Sequence, residues 1–363
     1  MGNEIETTSY FVILIRSVSL IETIFSFSPI FMEEMISEIK GLLHHTKDIA
    51  IISHRNPDGD ALGSSLGLQL YLEKKGHQVK TIVPSSYPHT FHYLPKVDEV
   101  IISDEDKEIA ENALLKADII FCLDFNGLDR IDKISHAVED SKAVKILIDH
   151  HLDPEPFVDH TISDTSSSST CELIFKFIVD LGDETLIDPK IGDCIMTGLI
   201  TDTGSFKYGT RADTYEVAAR LKRLGTDDYY VQDKIYNSVQ EKQLRLLGHC
   251  LANRMEIMHE YKTGLIWLNK QDYKDYDIKR GDTEGIVNYL LMMPDIEVAA
   301  FITEQPTIVK ISLRSKGEIS VQEIATRHFR GGGHKNAAGG GVYAKLDDII
   351  EKFKRVIPRY VNK

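Results

Sequence analysis

One imidazole and two carboxylates lie within seven residues of one another, directly after an apolar run. The run covers residues 49–53, and His54, Asp58 and Asp60 follow it. Imidazole nitrogens and carboxylate oxygens are the ligands that Mn²⁺ and Mg²⁺ accept in proteins. If the run is a strand of a parallel sheet, these side chains stand at the strand end where such sheets build their sites.

The same arrangement recurs along the chain, where a second apolar run, residues 144–148, is followed by Asp149 and two histidines. Packed together, such carboxylates would raise one another's pKa, whereas two divalent cations would offset their charge. A pair of ions about 3.5 to 4 Å apart can activate water and clamp a phosphoryl group, which predicts phosphoester hydrolysis. The candidate metal ligands are His54, Asp58, Asp60, Asp124, His150 and Asp202.

Each candidate also has an ordinary structural interpretation. A single Asp after a strand is usually a helix cap or turn former, and a single buried histidine is usually a core residue. The metal interpretation depends on all six donors occurring together at the junctions of one βαβ series.

The motifs resemble those of the DHH phosphoesterase family, and they come in the same order. The similarity covers about Glu33 to the C-terminus, and the C-terminal part resembles the branch of nanoRNases and pAp phosphatases, where pAp is adenosine 3′,5′-bisphosphate. The residues that carry the resemblance are 54–60, 122–124, 149–151, 197–206, 281–288, 311–315 and 331–339.

The resemblance implies how the ligands are shared between two ions. His54, Asp58 and Asp124 would hold one ion, while Asp60, Asp124, His150 and Asp202 would hold the other, so that Asp124 bridges. His151 would lie beside the scissile phosphate as hydrogen-bond donor or general acid. Asp149 would orient its neighbours.

The resemblance also implies substrate contacts in the C-terminal part. A glycine-rich loop there could cradle a phosphate with its backbone N–H groups, and Arg314 could form a forked contact with a terminal phosphate. The family often has a glycine where Arg330 stands, before the three glycines at 331–333. The predicted substrate contacts are Arg314, Ser315, Gly332, Gly333, His334, Lys335 and Asn336.

The charge of the chain favours small substrates. The formal net charge is −14 over 363 residues, and residues 243–363 carry a slight positive excess. Affinity for a long duplex comes from neutralising many phosphates, which an acidic protein does poorly. The charge therefore favours short substrates and predicts no long duplex nucleic acid as a partner. The family resemblance implies very short RNA, from dinucleotides upward, and pAp as partners. Two imidazoles among the predicted ligands favour Mn²⁺ over Mg²⁺. The oligomeric state stays open.

The positioning elements follow from alternating patterns. Apolar runs predict strands over 49–53, 79–83, 119–124 and 144–149, with helices over 61–75, 171–181 and 191–201. This pattern predicts an α/β fold: a parallel sheet with helices on both faces, followed by a smaller α/β substrate-binding domain. In that smaller domain we expect a helix over 240–258 and strands over 265–268, 298–303 and 307–313.

The predicted organisation has four parts. Residues 1–32 are an apolar leader that need not belong to the mature domain, and 33–225 form the metal-binding catalytic domain. Residues 226–242 connect it to the substrate-binding domain, 243–363, and substrate would lie in a cleft between the two domains. Arg16 and Glu22 interrupt the leader, which argues against a membrane anchor.

Four widely spaced cysteines form no paired motif, which favours a reducing cytoplasm. Two rival functions remain beside the short-RNA and pAp phosphoesterase. One is an inorganic pyrophosphatase or polyphosphatase that uses the same ligands. The other is an inactive nucleotide-binding sensor.

Overall fold

The computed structural model describes residues 29–279 and 281–361, and most of the predicted leader therefore lies outside the described residues. The chain folds into two compact units with their boundary between Ser238 and Val239. Among the described residues, no helix combines the length and apolar character needed to cross a bilayer.

The first unit is built on six strands that are all parallel, as predicted. They pair in the order β3-β2-β1-β4-β5-β6, so the chain reverses its direction of winding between β1 and β4. Ligand crevices form at such a reversal, outside the carboxyl ends of the strands. The strands are β1 Asp48–Ser53, β2 Gln78–Val83, β3 Ile101–Ile102, β4 Ile119–Leu123, β5 Val144–Asp149 and β6 His160–Ser163.

Helices cover both faces of this sheet, which explains why its strands are almost uniformly apolar. Ile51 and Phe121 on one face pack in a core with helices α1, α2, α5 and α6. Ile52 and Cys122, one position further along, pack on the other face with α3 and α4. The helices are α1 Pro29–Leu42, α2 Gly59–Lys74, α3 Lys107–Lys116, α4 Ser135–Asp140, α5 Thr170–Asp180, α6 Pro189–Asp202, α7 Ala212–Arg223 and α8 Asp228–Tyr236.

Residues 226–242, expected as the connection between domains, contain helix α8. Its Val231 is fully buried in the core of the first unit. The boundary between the two units falls inside this stretch, after α8 has ended.

The second unit is a mixed six-stranded sheet in the order β11-β12-β10-β9-β8-β7. Among the described residues, β8 and β9 pair in parallel and the other neighbouring strands pair antiparallel. Two hydrophobic cores form where helices pack against this sheet. The elements are α9 Glu241–Asn253, β7 Met255–Met258, β8 Thr263–Leu268, α10 Lys270–Asp275, α11 Ile286–Leu291, β9 Val298–Glu304, β10 Val309–Ser315, α12 Val321–His328, β11 Gly331–His334, β12 Ala337–Val342, α13 Leu346–Val356 and α14 Pro358–Val361.

Two expectations for this unit were wrong. The helix predicted over 240–258 ends at Asn253, because Met255–Met258 pairs with the open edge of β8 as an antiparallel strand. The glycine-rich segment is not a loop: β11 and β12 form an antiparallel hairpin. Glycines are needed there since a Cβ on Gly331 would lie 1.8 Å from the Gly339 carbonyl oxygen, closer than atoms can approach.

Candidate metal centre

Strand register places the candidate ligands at one level of the first sheet. Ser53 pairs with Leu123, and Leu123 pairs with Ile148. The residues that follow these three positions are His54, Asp124 and Asp149. The carboxyl ends of β1, β4 and β5 therefore present imidazole and carboxylate groups side by side, at the reversal of strand order.

Two helices bring the remaining carboxylates to the same place. Asp58 caps α2, its Oδ1 accepting from the N–H groups of Asp60 and Ala61 at 3.0 and 3.1 Å, and Asp60 lies in the first turn. Asp202 is the last residue of α6. The close packing of α2 on α6 depends on small residues, because a Cβ on Gly63 would lie 2.4 Å from the Cys194 carbonyl oxygen.

All six predicted ligands fall into groups whose donor atoms lie within 4.8 Å of one another. One group is His54, Asp58 and Asp124; another is Asp60, His150 and Asp202. Asp124 also groups with His150 and His151, so it lies between the two sets. The structure thus brings together every residue for which the sequence predicted a metal.

The two carboxylate oxygens of Asp124 face different histidines. His54 Nε2 lies 3.3 Å from Oδ2, and His150 Nε2 lies 3.6 Å from Oδ1. His150 Nε2 is also 3.4 Å from Asp202 Oδ2 and 3.9 Å from Asp60 Oδ2. This geometry fits a carboxylate that bridges two ions, one on each side.

The tautomers of the two histidines also fit metal binding. His54 Nδ1 lies 3.0 Å from the Arg55 carbonyl oxygen, and His150 Nδ1 lies 3.4 Å from that of Ser167. Because a carbonyl oxygen only accepts, both Nδ1 atoms carry the hydrogen, so in the neutral rings the Nε2 lone pairs face carboxylates. Only a proton or a cation between these acceptors makes the arrangement favourable.

The pKa shifts report the same excess of negative charge. Burial, with the charges of Asp124 and Asp58, holds the pKa of Asp60 well above its usual range. Loss of solvation and the neighbouring carboxylates raise the pKa of Asp202 similarly. Burial opposes charging of His54, but the hydrogen bond and charge of Asp124 outweigh it and raise the His54 pKa to about 9. The donor set suits hard divalent cations, which would hold all these carboxylates ionised.

His151 is held differently from His150. Its Nδ1 lies 2.7 Å from Oδ1 of Asp149, a fully buried carboxylate. Burial disfavours the charged imidazole, yet this hydrogen bond and the nearby carboxylates raise the pKa of His151. Asp149 therefore fixes the orientation of the ring and favours its protonated form.

Comparison with known proteins shows which domains the chain contains. The model of the N-terminal domain of the DHH family matches residues 48–199, and that of the DHHA1 domain matches residues 266–358. A solved structure of an exopolyphosphatase-related protein from Bacteroides fragilis is 37% identical, with coverage of 91% of this chain and 97% of that one and a TM-score of 0.88.

The chain belongs to the DHH family.

Two curated relatives carry the same printed name, bifunctional oligoribonuclease and PAP phosphatase NrnA. The protein from Thermus thermophilus is 29% identical over 310 residues, which is 85% of this chain and 88% of the relative. The protein from Bacillus subtilis is 29% identical over 307 residues, 81% of this chain and 90% of the relative. The matched DHH domain contains every candidate ligand except Asp202, which follows it by three residues.

The predicted substrate contacts gather around one end of β10 and the hairpin in the DHHA1 domain. Arg314 is half-buried on β10, where burial lowers its pKa and Nη1 donates to the Leu313 carbonyl at 3.0 Å. Gly332, Gly333 and His334 are exposed on β11.

Three of these predicted contacts also hold local structure. Asn336 Nδ2 donates to Ser315 Oγ at 2.9 Å, and that hydroxyl donates to the Ile319 carbonyl at 2.6 Å. Lys335 Nζ lies 2.6 Å from Oε2 of Glu318, an exposed carboxylate. These bonds connect the turn between β11 and β12 to the end of β10 and to the residues that follow it.

Arg330 has a φ of +50°. This is a left-handed conformation that glycine adopts without steric cost. The arginine side chain is exposed at the start of the hairpin.

Sequence reasoning missed two residues near the ligands. Thr170, fully buried at the start of α5, donates hydrogen bonds to two of the ligands. Arg130 is exposed, and its charge opposes protonation of His151. The Arg130 carbonyl accepts from the N–H of Arg55, the residue after the candidate ligand His54, at 2.8 Å. A threonine after several serines is typical of a helix cap, which does not predict a contact with a metal ligand. No sequence pattern distinguishes Arg130 from other arginines.

Proposed function

We propose that this protein is a metal-dependent phosphoesterase that hydrolyses very short oligoribonucleotides to mononucleotides and removes the 3′-phosphate of pAp. The observation that carries the proposal is the cluster of all six ligands around Asp124. Similarity to two relatives named for both activities, over 81 to 85% of this chain, supports the choice of substrates.

His54, Asp58 and Asp124 would hold one ion, and Asp60, Asp124, His150 and Asp202 the other. Bound divalent ions would supply charge neutralisation at the phosphoryl oxygens and activation of a water for in-line attack. Mn²⁺ is favoured over Mg²⁺ because two ligands are imidazoles.

The side chains around the ligands would handle the leaving group. With Nδ1 of His151 bonded to Asp149, Nε2 is the ring atom that would donate a proton to the departing oxygen. Arg130 would bring a positive charge to the scissile phosphate beside His151, in a domain that is otherwise strongly acidic.

The C-terminal part would select the substrate. Arg314 would contact a terminal phosphate, and the hairpin from Gly332 to Asn336 would contact the nucleotide. In this proposal residues 33–225 belong to the catalytic domain and 243–363 to the substrate domain, and the part of 226–242 that follows α8 connects them. The proposed setting is the cytoplasm, in keeping with four buried free thiols among the described residues.

Hydrolysis of inorganic polyphosphate is a second candidate, because the Bacteroides fragilis structure is named exopolyphosphatase-related. It would use the same metal ligands. It would have no use for a site that holds a nucleotide base.

One assay with Mn²⁺ separates these functions. Purified protein is incubated with a 5′-phosphorylated diribonucleotide, pAp and tripolyphosphate, and Asp124→Ala is the control. We expect mononucleotide from the first, inorganic phosphate from the second, and no product in the control. Turnover of tripolyphosphate alone would replace the proposal with the second candidate. Nucleotide binding without turnover would replace it with a sensor.

A further inference from the structure

The N-terminus of α5 hydrogen-bonds to Asp60, a candidate metal ligand on helix α2. Ser169 caps α5 by accepting from the Glu172 N–H at 3.1 Å, and the helix begins at Thr170. The first N–H groups of a helix have no partner within it. Here the N–H groups of Thr170 and Cys171 donate to the two oxygens of Asp60, at 2.6 and 2.9 Å.

This contact orients the Asp60 carboxylate as a unit. Each of its oxygens receives one N–H, so the plane of the group is fixed relative to α5. The positive end of the helix dipole favours the charged carboxylate at this point. Asp60 is fully buried, so these two N–H groups act on its oxygens in the absence of exposure to solvent.

The Thr170 side chain reaches a second ligand. Its Oγ1 donates to Oδ1 of Asp124 at 2.9 Å, and the residue is fully buried. This Oδ1 is the oxygen that faces His150, on the side of the second group of ligands. Asp124 itself has a φ of +65°, a left-handed conformation that favours glycine.

We propose that Thr170 is a positioning residue that sets the bridging ligand Asp124 and the ligand Asp60 relative to each other. One residue holds two carboxylates from different elements, one through its backbone and one through its hydroxyl. Loss of the hydroxyl should weaken the ion on the His150 side more than the ion on the His54 side. The inference rests on the metal centre of the proposed function.

A valine tests the hydroxyl alone, because Thr170→Val keeps the shape of the side chain and the backbone N–H. Thr170→Ser restores the hydroxyl. Thr214→Val is the matched control: Thr214 is equally buried, but its hydroxyl donates to the Glu172 carboxylate at 2.9 Å rather than to a candidate ligand.

Mn²⁺ binding is measured by titration calorimetry without substrate, with circular dichroism to confirm folding. We expect Thr170→Val to weaken the second binding step about 10-fold or more, the size usual when a partner of a metal ligand is lost. Thr170→Ser keeps the hydroxyl and should bind both ions like the wild type. Thr214→Val should bind both ions like the wild type.

Binding by folded Thr170→Val equal to wild type would overturn the inference, and so would a serine variant as weak as the valine. If Thr170→Val does not fold, Thr170→Ala applies the same test. The titration requires no hydrolysis, so its outcome stands apart from that of the proposed function. A wild-type protein that binds two ions but cleaves no nucleotide would refute only the latter.

Discussion

At the residue scale, the site concentrates carboxylate and imidazole acceptors, and the fold alone does not balance their negative charge. Asp124 lies between two imidazoles whose Nε2 atoms are 3.3 and 3.6 Å from its oxygens. Its pKa falls despite its burial, because the hydrogen bond and charge of His54 favour the ionised form. The pKa values of Asp60 and Asp202 are raised instead, because burial and neighbouring carboxylates disfavour their ionised forms. Bound divalent cations would favour the ionised form of all these carboxylates.

Arg130 provides a test of phosphate binding that leaves the ligands intact. We expect Arg130→Ala to lower kcat/KM on the diribonucleotide by about 10-fold or more, as loss of a charge-assisted contact does. Mn²⁺ affinity should stay unchanged. Arg223→Ala removes the same charge from an exposed position on α7 and should leave kcat/KM near the wild-type value. Equal kinetics for the two variants would show that Arg130 does not contact substrate.

At the element scale, the packing of α2, α5 and α6 decides whether the ligands meet. Gly198 of α6 is the tightest point for the ligands: a Cβ there would lie 2.3 Å from Asp60 Oδ1 and from Cys171 Sγ. No side chain fits between these groups unless α6 moves away from α5. Asp202 lies one helical turn further along α6, so such a movement would also displace that ligand.

Gly198→Ala should therefore lower the free energy of unfolding by about 1 to 3 kcal/mol, the usual effect of overpacking a core. Gly248→Ala on α9 is the matched control, because nothing lies within 4 Å of its added Cβ. The control should be neutral or stabilise by up to about 1 kcal/mol, since alanine favours helices more than glycine. Urea denaturation of both variants measures the difference. Equal stabilities would mean that α6 can shift at little cost.

The sequence predicted the elements with long apolar runs and missed those that depend on neighbours. Strands β1, β4 and β5 were recognised because each has four or five apolar residues and is followed by polar groups. The two residues of β3 and the four of β6 are too short to show a period, and they form only because an open edge is available. Likewise the serine-rich run 164–170 is typical of a helix cap, and Ser169 caps α5, but no pattern in the run predicts the contacts of Thr170 with residues 46 and 110 positions away.

At the scale of the whole molecule, stability should depend on a carboxyl group outside the metal centre. Partial burial on α6, with the charges of Asp227 and Asp188, raises the pKa of Asp193 to about 6, although the Asp227 N–H donates to it at 3.3 Å. A raised pKa means that the folded state prefers the protonated acid. This contribution to stability is present below the unfolded pKa of 3.8 and is lost as the pH rises through about 6.

Asp193→Asn should remove this penalty while keeping an acceptor for the Asp227 N–H. The shift corresponds to about 2 to 3 kcal/mol, which solvent screening of a half-exposed group reduces to about 1 kcal/mol. We expect the variant to be more stable than the wild type by that amount at pH 7.5 and equal to it near pH 4. Denaturation at the two pH values measures it. A difference that does not change with pH would contradict the assignment.

The central claim is that six side chains from β1, β4, β5, α2 and α6 hold two divalent ions with Asp124 between them. The most direct test is anomalous diffraction at the manganese edge from crystals of the protein grown with Mn²⁺. The account predicts two peaks about 3.5 to 4 Å apart, one beside His54 and one beside His150, with an oxygen of Asp124 directed at each. A single peak, or two peaks that do not share Asp124, would contradict it.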